Sequence, residues 1–183
     1  MLGRLLLSLA IGLSLSLASF GVERSRGNSS VSEHQVKAKF LYHFTHFIHW
    51  PQNTFASPTD DFTICLIEGG GMRRTIHQTL KGKTVKKRGL DIKIQSREQD
   101  HSSCHLVYVG SLSTDWFAKR AETLKKNHIL TIGESESFIK QGGMIQFYVD
   151  NNKIRFAINP NAMQEGNLKA SSKLLRLAKI VKL

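Results

Sequence analysis

The sequence predicts a single α/β domain with a mostly parallel sheet of about six strands, helices on both faces and a C-terminal antiparallel hairpin. Strand-like and helix-like segments alternate along most of the chain, which is typical of a parallel sheet. The last two long strand-like segments, within residues 142–159, are separated only by Asn151 and Asn152, which favour a two-residue turn. The chain has 183 residues, and removal of the 21-residue leader described next leaves 162, the size of one domain.

Residues 1–21 have the pattern of a secretory signal peptide. Arg4 precedes an apolar run over residues 5–18, and small residues surround the end of that run. An uncleaved membrane anchor is the alternative, but the run is shorter than the roughly 20 residues that a spanning helix needs. The sequence therefore predicts a cleaved leader, export of the protein and a folded domain over residues 32–183.

The first half of the domain begins with a helix. Helical spacing relates the apolar residues Val36, Phe40, Phe44, Phe47 and Ile48, with Leu41 beside them; Ser32 is a candidate N-cap, and Pro51 would end the helix. The continuous apolar run 62–67 then predicts a buried strand, which the glycines of the sequence EGGG interrupt. Residues 72–80 have a helical pattern, and the alternating sequence LDIKIQ, residues 90–95, predicts a second strand.

The second half continues the alternation of strands and helices. Its predicted elements, in order, are a strand over 104–110, a helix over 115–126, a strand over 128–133, a short helix over 135–141, the hairpin, a short helical segment over 159–166 and a C-terminal amphipathic helix over 170–181. Ser171 and Ser172 would cap this last helix, and Leu174, Leu175 and Leu177 should include its core anchors.

The hairpin has two chemically distinct faces. A turn centred on Asn151 and Asn152 fixes the register, because Asn tolerates the positive φ that such turns need. Side chains alternate along a strand, so one face collects the apolar pairs Val149–Ile154, Phe147–Phe156 and Ile145–Ile158. The other face carries Tyr148 opposite Arg155, and Asn159 ends that row. This polar face is either a solvated sheet surface or a contact surface for a partner.

The chain is strongly basic, with 26 Lys and Arg against 14 Asp and Glu and a formal charge of +12, or +11 once Arg4 leaves with the leader. Such a balance is typical of nucleic-acid-binding proteins, but an exported protein does not meet nucleic acid in its ordinary setting. Anionic envelope surfaces or an acidic partner fit better, and a solubilising charge is the alternative. The basic runs at 81–83 and 86–88 are predicted to be solvated loops.

The chain has two cysteines, Cys65 and Cys104. An even count in an exported protein favours a disulfide bond, and two cysteines allow one pairing. Both cysteines lie in or at the start of strand-like segments, and neighbouring strands would bring them together. Two separate buried thiols are the alternative.

Four histidines mark the first helix region: His34, His43, His46 and His49. His43 and His46 share a helix face because they are three residues apart. A metal site would need further ligands nearby, and the sequence offers no evident ones. Surface histidines are therefore the prediction, with no metal and no cofactor.

A glycine cluster separates the strand at 62–67 from the following helix. Helix N-termini attract anions, and Arg73 and Arg74 would add positive charge. The dinucleotide fingerprint is incomplete, because its last glycine, counted from Gly69, would fall at Arg74. An anion site formed by Gly69, Gly70, Gly71 and Arg73 is one interpretation, and a tight turn is the other.

The sequence DHSSCH gathers Asp100, His101, Ser102, Ser103 and His105 within six positions. A hydrolase triad is assembled in space rather than in one short run, and the chain has no G-x-S-x-G nucleophile elbow. Catalysis by this segment is therefore the remotest of the interpretations, and the protein is predicted not to be an enzyme.

Five stretches carry recognisable motifs: VKAKFLYHFTHFIHWP (36–51), GKTVKKRGL (82–90), CHLVYVG (104–110), FIKQGGMIQF with KIRFAIN (138–159) and LKASSKLLRLAKIV (168–181). Taken in this order, they resemble the YfiR/HmsC-like family of periplasmic proteins. Ala170 stands where the family usually has Ile. Each motif alone is common, but five in order, covering nearly all of residues 34–181, are specific.

The resemblance implies a periplasmic repressor that binds the periplasmic sensor domain of an inner-membrane diguanylate cyclase and lowers cyclic di-GMP and biofilm formation. It implies that an OmpA-like outer-membrane lipoprotein relieves the repression, and a homodimer is a further expectation. Among the expected contact residues, Arg155, Asn159, Ser171 and Ser172 match the family pattern, whereas Tyr148 is expected from the hairpin register alone. Some family members carry two disulfide bonds, whereas this chain has cysteines for one. The alternative function is a periplasmic protein that senses a small molecule or anion.

Overall fold

The structure is a computed structural model that describes residues 27–67, 70–111 and 114–183. The predicted leader, residues 1–21, lies outside the described residues. The helices are α1 (Gly27–Phe47), α2 (Met72–Leu80), α3 (Thr114–Ala118), α4 (Ala121–Lys126), α5 (Pro160–Glu165) and α6 (Ser172–Leu175), with a 3₁₀ turn at Gln52–Thr54. The strands are β1 (Ile48–His49), β2 (Phe62–Ile67), β3 (Thr84–Val85), β4 (Arg88–Gln95), β5 (Leu106–Gly110), β6 (Leu130–Gly133), β7 (Ile145–Asp150), β8 (Lys153–Ile158), β9 (Lys169–Ala170) and β10 (Lys179–Ile180).

The main sheet has eight strands in the order β10-β8-β7-β6-β5-β2-β4-β3. The pairs β2–β4, β2–β5, β5–β6, β6–β7 and β8–β10 are parallel, while β7–β8 and β3–β4 are antiparallel. A separate two-stranded ribbon joins β1 to β9. The prediction of a mostly parallel α/β sheet is confirmed, but the sheet is larger than the six strands expected because β3 and β10 extend its edges.

Helices cover both faces of the sheet, as predicted. One buried cluster joins α1, α2, α5 and α6 to one face, and its largest fully buried side chains include Phe44, Leu41 and Ile76. A second cluster lies under α3 and α4 on the opposite face and includes Phe117 and Phe138. The two clusters lie on opposite faces because successive side chains of the central strands point to opposite sides.

Helix α1 buries a stripe that differs slightly from the predicted one. Ala38, Leu41 and Phe44 are fully buried, a spacing of three residues that places them on one face. Val36, which was expected in the stripe, is 36% exposed. The helix also begins at Gly27, so the prediction of an N-cap at Ser32 is wrong.

The hairpin β7–β8 has the predicted register. Phe147 pairs with Phe156, and Tyr148 pairs with Arg155. Asn151 and Asn152 both have positive φ, 47° and 58°, as a two-residue turn requires. Val149 is the exception on the apolar face, since it is 61% exposed near the hairpin tip. The hairpin does not end the sheet, because β10 pairs with β8 beyond it.

The predicted C-terminal helix is wrong over most of its length. Ser171 caps α6, its side-chain oxygen accepting a hydrogen bond from the Leu174 N–H, but the helix ends at Leu175. The chain then forms β10 against β8. Leu174 is 4% exposed and is the core anchor, whereas Leu177 is 74% exposed. The open edge of β8 offers backbone hydrogen bonds that outweigh the weak helical preference of a short terminal segment.

Three further local predictions need correction. The predicted short helix over 135–141 is a series of turns, and the helix expected over 115–126 is divided into α3 and α4. The segment 86–88 is solvated only in part, because Lys86 and Lys87 are exposed, as predicted, whereas Arg88 is half-buried on β4. Lys86 and Lys87 form the β3–β4 turn with positive φ, and the Arg88 guanidinium donates to two backbone carbonyls. Within the described residues, none of the helices is both long and apolar enough to span a membrane.

Candidate functional site

The outward side of β7, β8 and β10 carries an aromatic and basic row. Tyr148 on β7 lies opposite Arg155 on β8, and Lys179 on β10 holds its ammonium 5.9 Å from the centre of the Tyr148 ring. Arg155 and Lys179 are exposed and Tyr148 is half-buried. We call these three residues the basic sheet face. Its membership follows from the strand register, which puts them on the side opposite the buried Phe147 and Phe156.

The basic sheet face carries a net positive charge. At the hairpin tip Asp150 lies opposite Lys153, so these two charges offset one another. Among the described residues, Arg155 has no carboxylate within ion-pair distance, and neither does Lys179. An acidic surface is therefore the electrostatic complement of this side of the sheet.

The other three predicted contact residues have different environments. Asn159 is 3% exposed, and its Oδ1 accepts a hydrogen bond from the Ala162 N–H at the start of α5, 3.2 Å away. Its side chain is a helix cap and does not extend the exposed row. The Ser171 hydroxyl caps α6 in the same way. Ser172 is exposed in the first turn of α6.

Cys65 and Cys104 form a disulfide bond, as predicted. Their Cα atoms are 5.8 Å apart, within the usual range for a disulfide. Cys65 lies on β2, which pairs with β5, and Cys104 lies just before β5. Both residues are buried in the cluster beneath α3 and α4. The bond therefore closes the connection from β2 through β4 to β5.

The glycine-rich loop borders a crevice at the carboxyl edge of the sheet. A cavity of 310 Å³ lies beyond the ends of β2 and β5, lined by Gly70, Gly71 and Tyr108 among others. Strand β4 lies on one side of β2 in the sheet, and β5 lies on the other side. The crevice therefore lies where the strand order changes direction, which is where open α/β sheets commonly bind ligands. Gly69 lies outside the described residues, and Arg73 is exposed on α2 but does not line the cavity.

The charges of this crevice oppose the predicted anion site. The Lys37 ammonium lies 2.8 Å from Glu134 and 2.5 Å from Glu33, so two carboxylates face one ammonium. The Tyr108 hydroxyl also donates to Glu134, and burial raises the pKa of that phenol, with the Glu134 charge adding to the shift. A free anion would meet this surplus of negative charge, so the arrangement favours a structural polar cluster.

The DHSSCH segment forms a turn without a catalytic arrangement. The Asp100 carboxylate accepts hydrogen bonds from the backbone and hydroxyl of Ser102, which is an Asx-type turn. His101 is directed to the Ser96 carbonyl, and burial lowers its pKa. His105 accepts from the Thr63 N–H through Nδ1. Across the described part of the chain, no group of three or more His, Cys, Asp or Glu residues is arranged to hold a metal ion.

A second cavity, of 340 Å³, lies where the Trp-Pro turn after β1 meets the β3–β4 turn. We call it the corner pocket. Its main lining residues are Trp50, Phe55, Phe62, Val85, Lys86 and Arg88. Sequence reasoning missed this site, because its two halves, Phe62 and the residues before it and Val85 and the residues after it, lie at least 23 positions apart and neither carries an obvious ligand motif. The only available signal was that Trp50 in one half and residues 85–88 in the other fall within stretches that resemble the same family.

The sequence profile of the YfiR/HmsC-like family matches residues 34–179. The chain belongs to the YfiR/HmsC-like family. At the family level this membership implies a periplasmic regulator of diguanylate cyclase and not an enzyme. An OmpA-like partner and a homodimer remain predictions.

Comparisons with other proteins add information on the fold alone. A conserved domain protein from Vibrio cholerae O1 biovar El Tor strain N16961 superimposes with a TM-score of 0.54 at 8% identity, over 82% of this chain and 60% of that one. This chain thus spans less than two thirds of that protein. A putative O-acetylhomoserine (thiol)-lyase from Campylobacter jejuni gives a TM-score of 0.41 at 15% identity, over 62% and 29% of the two chains. That likeness is too weak to bear on function. No curated protein matches the sequence.

Proposed function

We propose that this protein binds the periplasmic sensor domain of an inner-membrane diguanylate cyclase and holds the enzyme inactive, which lowers cyclic di-GMP and biofilm formation. The observation that carries the proposal is the family match over residues 34–179, which spans the main sheet from β2 to the first residue of β10. The inhibition would be steric or conformational, since the role implied by the family is regulation by contact.

The basic sheet face is the contact surface in this proposal. Arg155 is exposed and lacks a carboxylate partner in the described part of the chain, so its guanidinium is available to an acidic group on the cyclase. Tyr148 provides an amphipathic ring beside it, and Tyr and Arg are among the residues enriched where binding energy concentrates. Complementary charge would guide encounter and fix orientation.

The proposal is tested in the host strain by measuring cyclic di-GMP. Deletion of the gene should raise the second messenger and biofilm formation, and the wild-type gene should restore both. The Arg155→Glu variant should fail to complement, because charge reversal at the contact opposes binding. Its stability should change by no more than about 0.5 kcal/mol, since the residue is exposed.

Arg74→Glu is the matched control, because Arg74 is equally an exposed arginine but lies on α2, away from β7 and β8. This variant should complement fully. An unchanged messenger level in the deletion strain would refute the repressor proposal. Full complementation by Arg155→Glu would leave repression intact and show that the contact surface lies elsewhere.

A further inference from the structure

The corner pocket has aromatic walls. The Trp50 and Phe62 rings meet edge to face with centres 5.0 Å apart, and Phe55 lies 6.3 Å from Phe62. Val85 is buried and contributes a further apolar surface. A volume of 340 Å³ is at the lower end of the range for small-molecule sites, which are mostly apolar with a few convergent polar groups.

The charged groups of the corner pocket are cationic, beside the neutral polar residues Thr45 and Gln52. Lys86 and Arg88 line it, and no lining residue carries a carboxylate. In the part of the chain that the structure describes, neither cation has a carboxylate within ion-pair distance. The nearby Asp60 carboxylate accepts from the Ser57 N–H instead, and only the Asp60 carbonyl meets Arg88.

Both cations are held in place yet retain free donors. The Lys86 ammonium donates to the Ile48 carbonyl, 2.8 Å away, which uses one of its three N–H groups. The Arg88 guanidinium lies 3.8 Å above the Phe55 ring and donates from Nη1 to the Ser57 and Asp60 carbonyls, which leaves Nε and Nη2. Partial burial lowers the pKa of the Lys86 ammonium, as expected for a positive charge without an anionic partner.

One wall also contains an unpaired donor. The Trp50 Nε1–H is buried and has no hydrogen-bond acceptor among the residues described. Buried donors are rarely left unpaired in native proteins, and such a group calls for a water, an ion or a ligand to supply the acceptor. The aromatic walls and the unpaired cations are two features that one kind of ligand would satisfy.

We propose that the corner pocket binds a small aromatic carboxylate, its ring against Trp50 and Val85 and its carboxylate at Lys86 and Arg88. Aromatic pairs and charge-assisted hydrogen bonds would together hold the ligand. The site is separate from both the basic sheet face and the glycine-rich loop. Binding would make this protein a ligand-responsive regulator, but the binding itself does not depend on the proposed cyclase partner.

Benzoate is the probe, and Trp50 is the reporter. In the full exported chain carrying Trp116→Phe, Trp50 is the only remaining tryptophan. Benzoate should change its fluorescence in a saturable way with a Kd on the order of a millimolar or tighter. Benzamide, which has the same shape without the charge, should bind at least about tenfold more weakly, as loss of a charged hydrogen-bond partner predicts.

Two neighbouring lysines provide a matched pair of variants. Lys86 and Lys87 both have positive φ, and Lys86 alone lines the pocket. Lys86→Met should weaken benzoate binding by about tenfold, Lys86→Arg should retain most of it, and Lys87→Met should leave it unchanged. Thermal melts establish that each variant is folded.

The absence of saturable benzoate binding would overturn the proposal, as would equal affinities for benzoate and benzamide. Equal losses in Lys86→Met and Lys87→Met would show that only the overall charge matters, which also overturns it. The comparison of benzoate with benzamide uses the chain with both lysines intact, so it decides the matter even if Lys86→Met is unfolded. The benzoate assay contains no cyclase, so a failure to bind benzoate is distinguishable from a failure of the repressor proposal.

Discussion

Removal of the Cys65–Cys104 bond should be the most destabilising change away from the main apolar core. The bond joins residues 39 apart in sequence, so the reduced unfolded chain gains the conformational freedom of a long loop. The chain-entropy estimate is about 13 cal/mol/K, or about 4 kcal/mol at 25 °C. Each kcal/mol lowers the melting temperature of a domain of this size by about 2–4 °C, which predicts a loss of about 8–16 °C.

The assay is thermal unfolding of the oxidised wild type, the reduced wild type and the Cys65→Ala/Cys104→Ala variant. The difference in melting temperature between the oxidised and the reduced wild type measures the contribution of the covalent link, because the side chains are otherwise the same. The double variant adds the effect of removing two buried sulfur atoms, and a reducing agent should not change its melting temperature. A reduced wild type that melts within about 2 °C of the oxidised protein would refute the reasoning, as would two alkylatable thiols in freshly isolated exported protein.

Two further predictions concern the C terminus and a buried histidine. Leu174→Ala should destabilise the protein by about 2–5 kcal/mol, while Leu177→Ala should change stability by less than about 0.5 kcal/mol, because Leu174 is 4% exposed and Leu177 is 74% exposed. Equal urea midpoints for the two variants would contradict the placement of α6. For His105, burial and then the Arg88 charge lower the pKa from 6.5 to about 4. The unfolded chain therefore binds the proton more tightly, so stability should fall as the pH decreases from about 6.5 to about 4, and His105→Asn should reduce that slope in urea titrations at several pH values.

Local patterns were sufficient wherever the determining interactions are close in sequence. The hairpin register follows from Asn151 and Asn152 and from the alternation on either side of them, because a two-residue turn fixes which residues face each other. The class of fold followed from the alternation of strands and helices. The disulfide followed from two cysteines in strand-like segments of an exported chain, and it forms because β2 and β5 are neighbours.

Predictions failed where a distant segment decides the outcome. The C-terminal segment has a helical pattern, yet Lys179 and Ile180 pair with β8, because the edge of β8 is open in the folded sheet. Arg88 was expected in a solvated loop with Lys86 and Lys87, but it lies on β4, where its guanidinium donates to the Ser57 and Asp60 carbonyls. Alternation along β8 placed Asn159 in the exposed row with Arg155. Its side chain is buried instead, because it accepts a hydrogen bond from the Ala162 N–H at the start of α5.

The sequence by itself determined the family, the α/β class, the hairpin and the cysteine pair, because periodicity, turn residues and motif order are local properties of a chain. Only the tertiary structure decided which side chains come together on the surface and in the pockets. Lys179 joins Tyr148 and Arg155 only through the pairing of β10 with β8, and Lys86 reaches Trp50 only through the packing of the β3–β4 turn. Such sites depend on contacts between residues far apart in sequence, whose spacing along the chain carries no periodic signal.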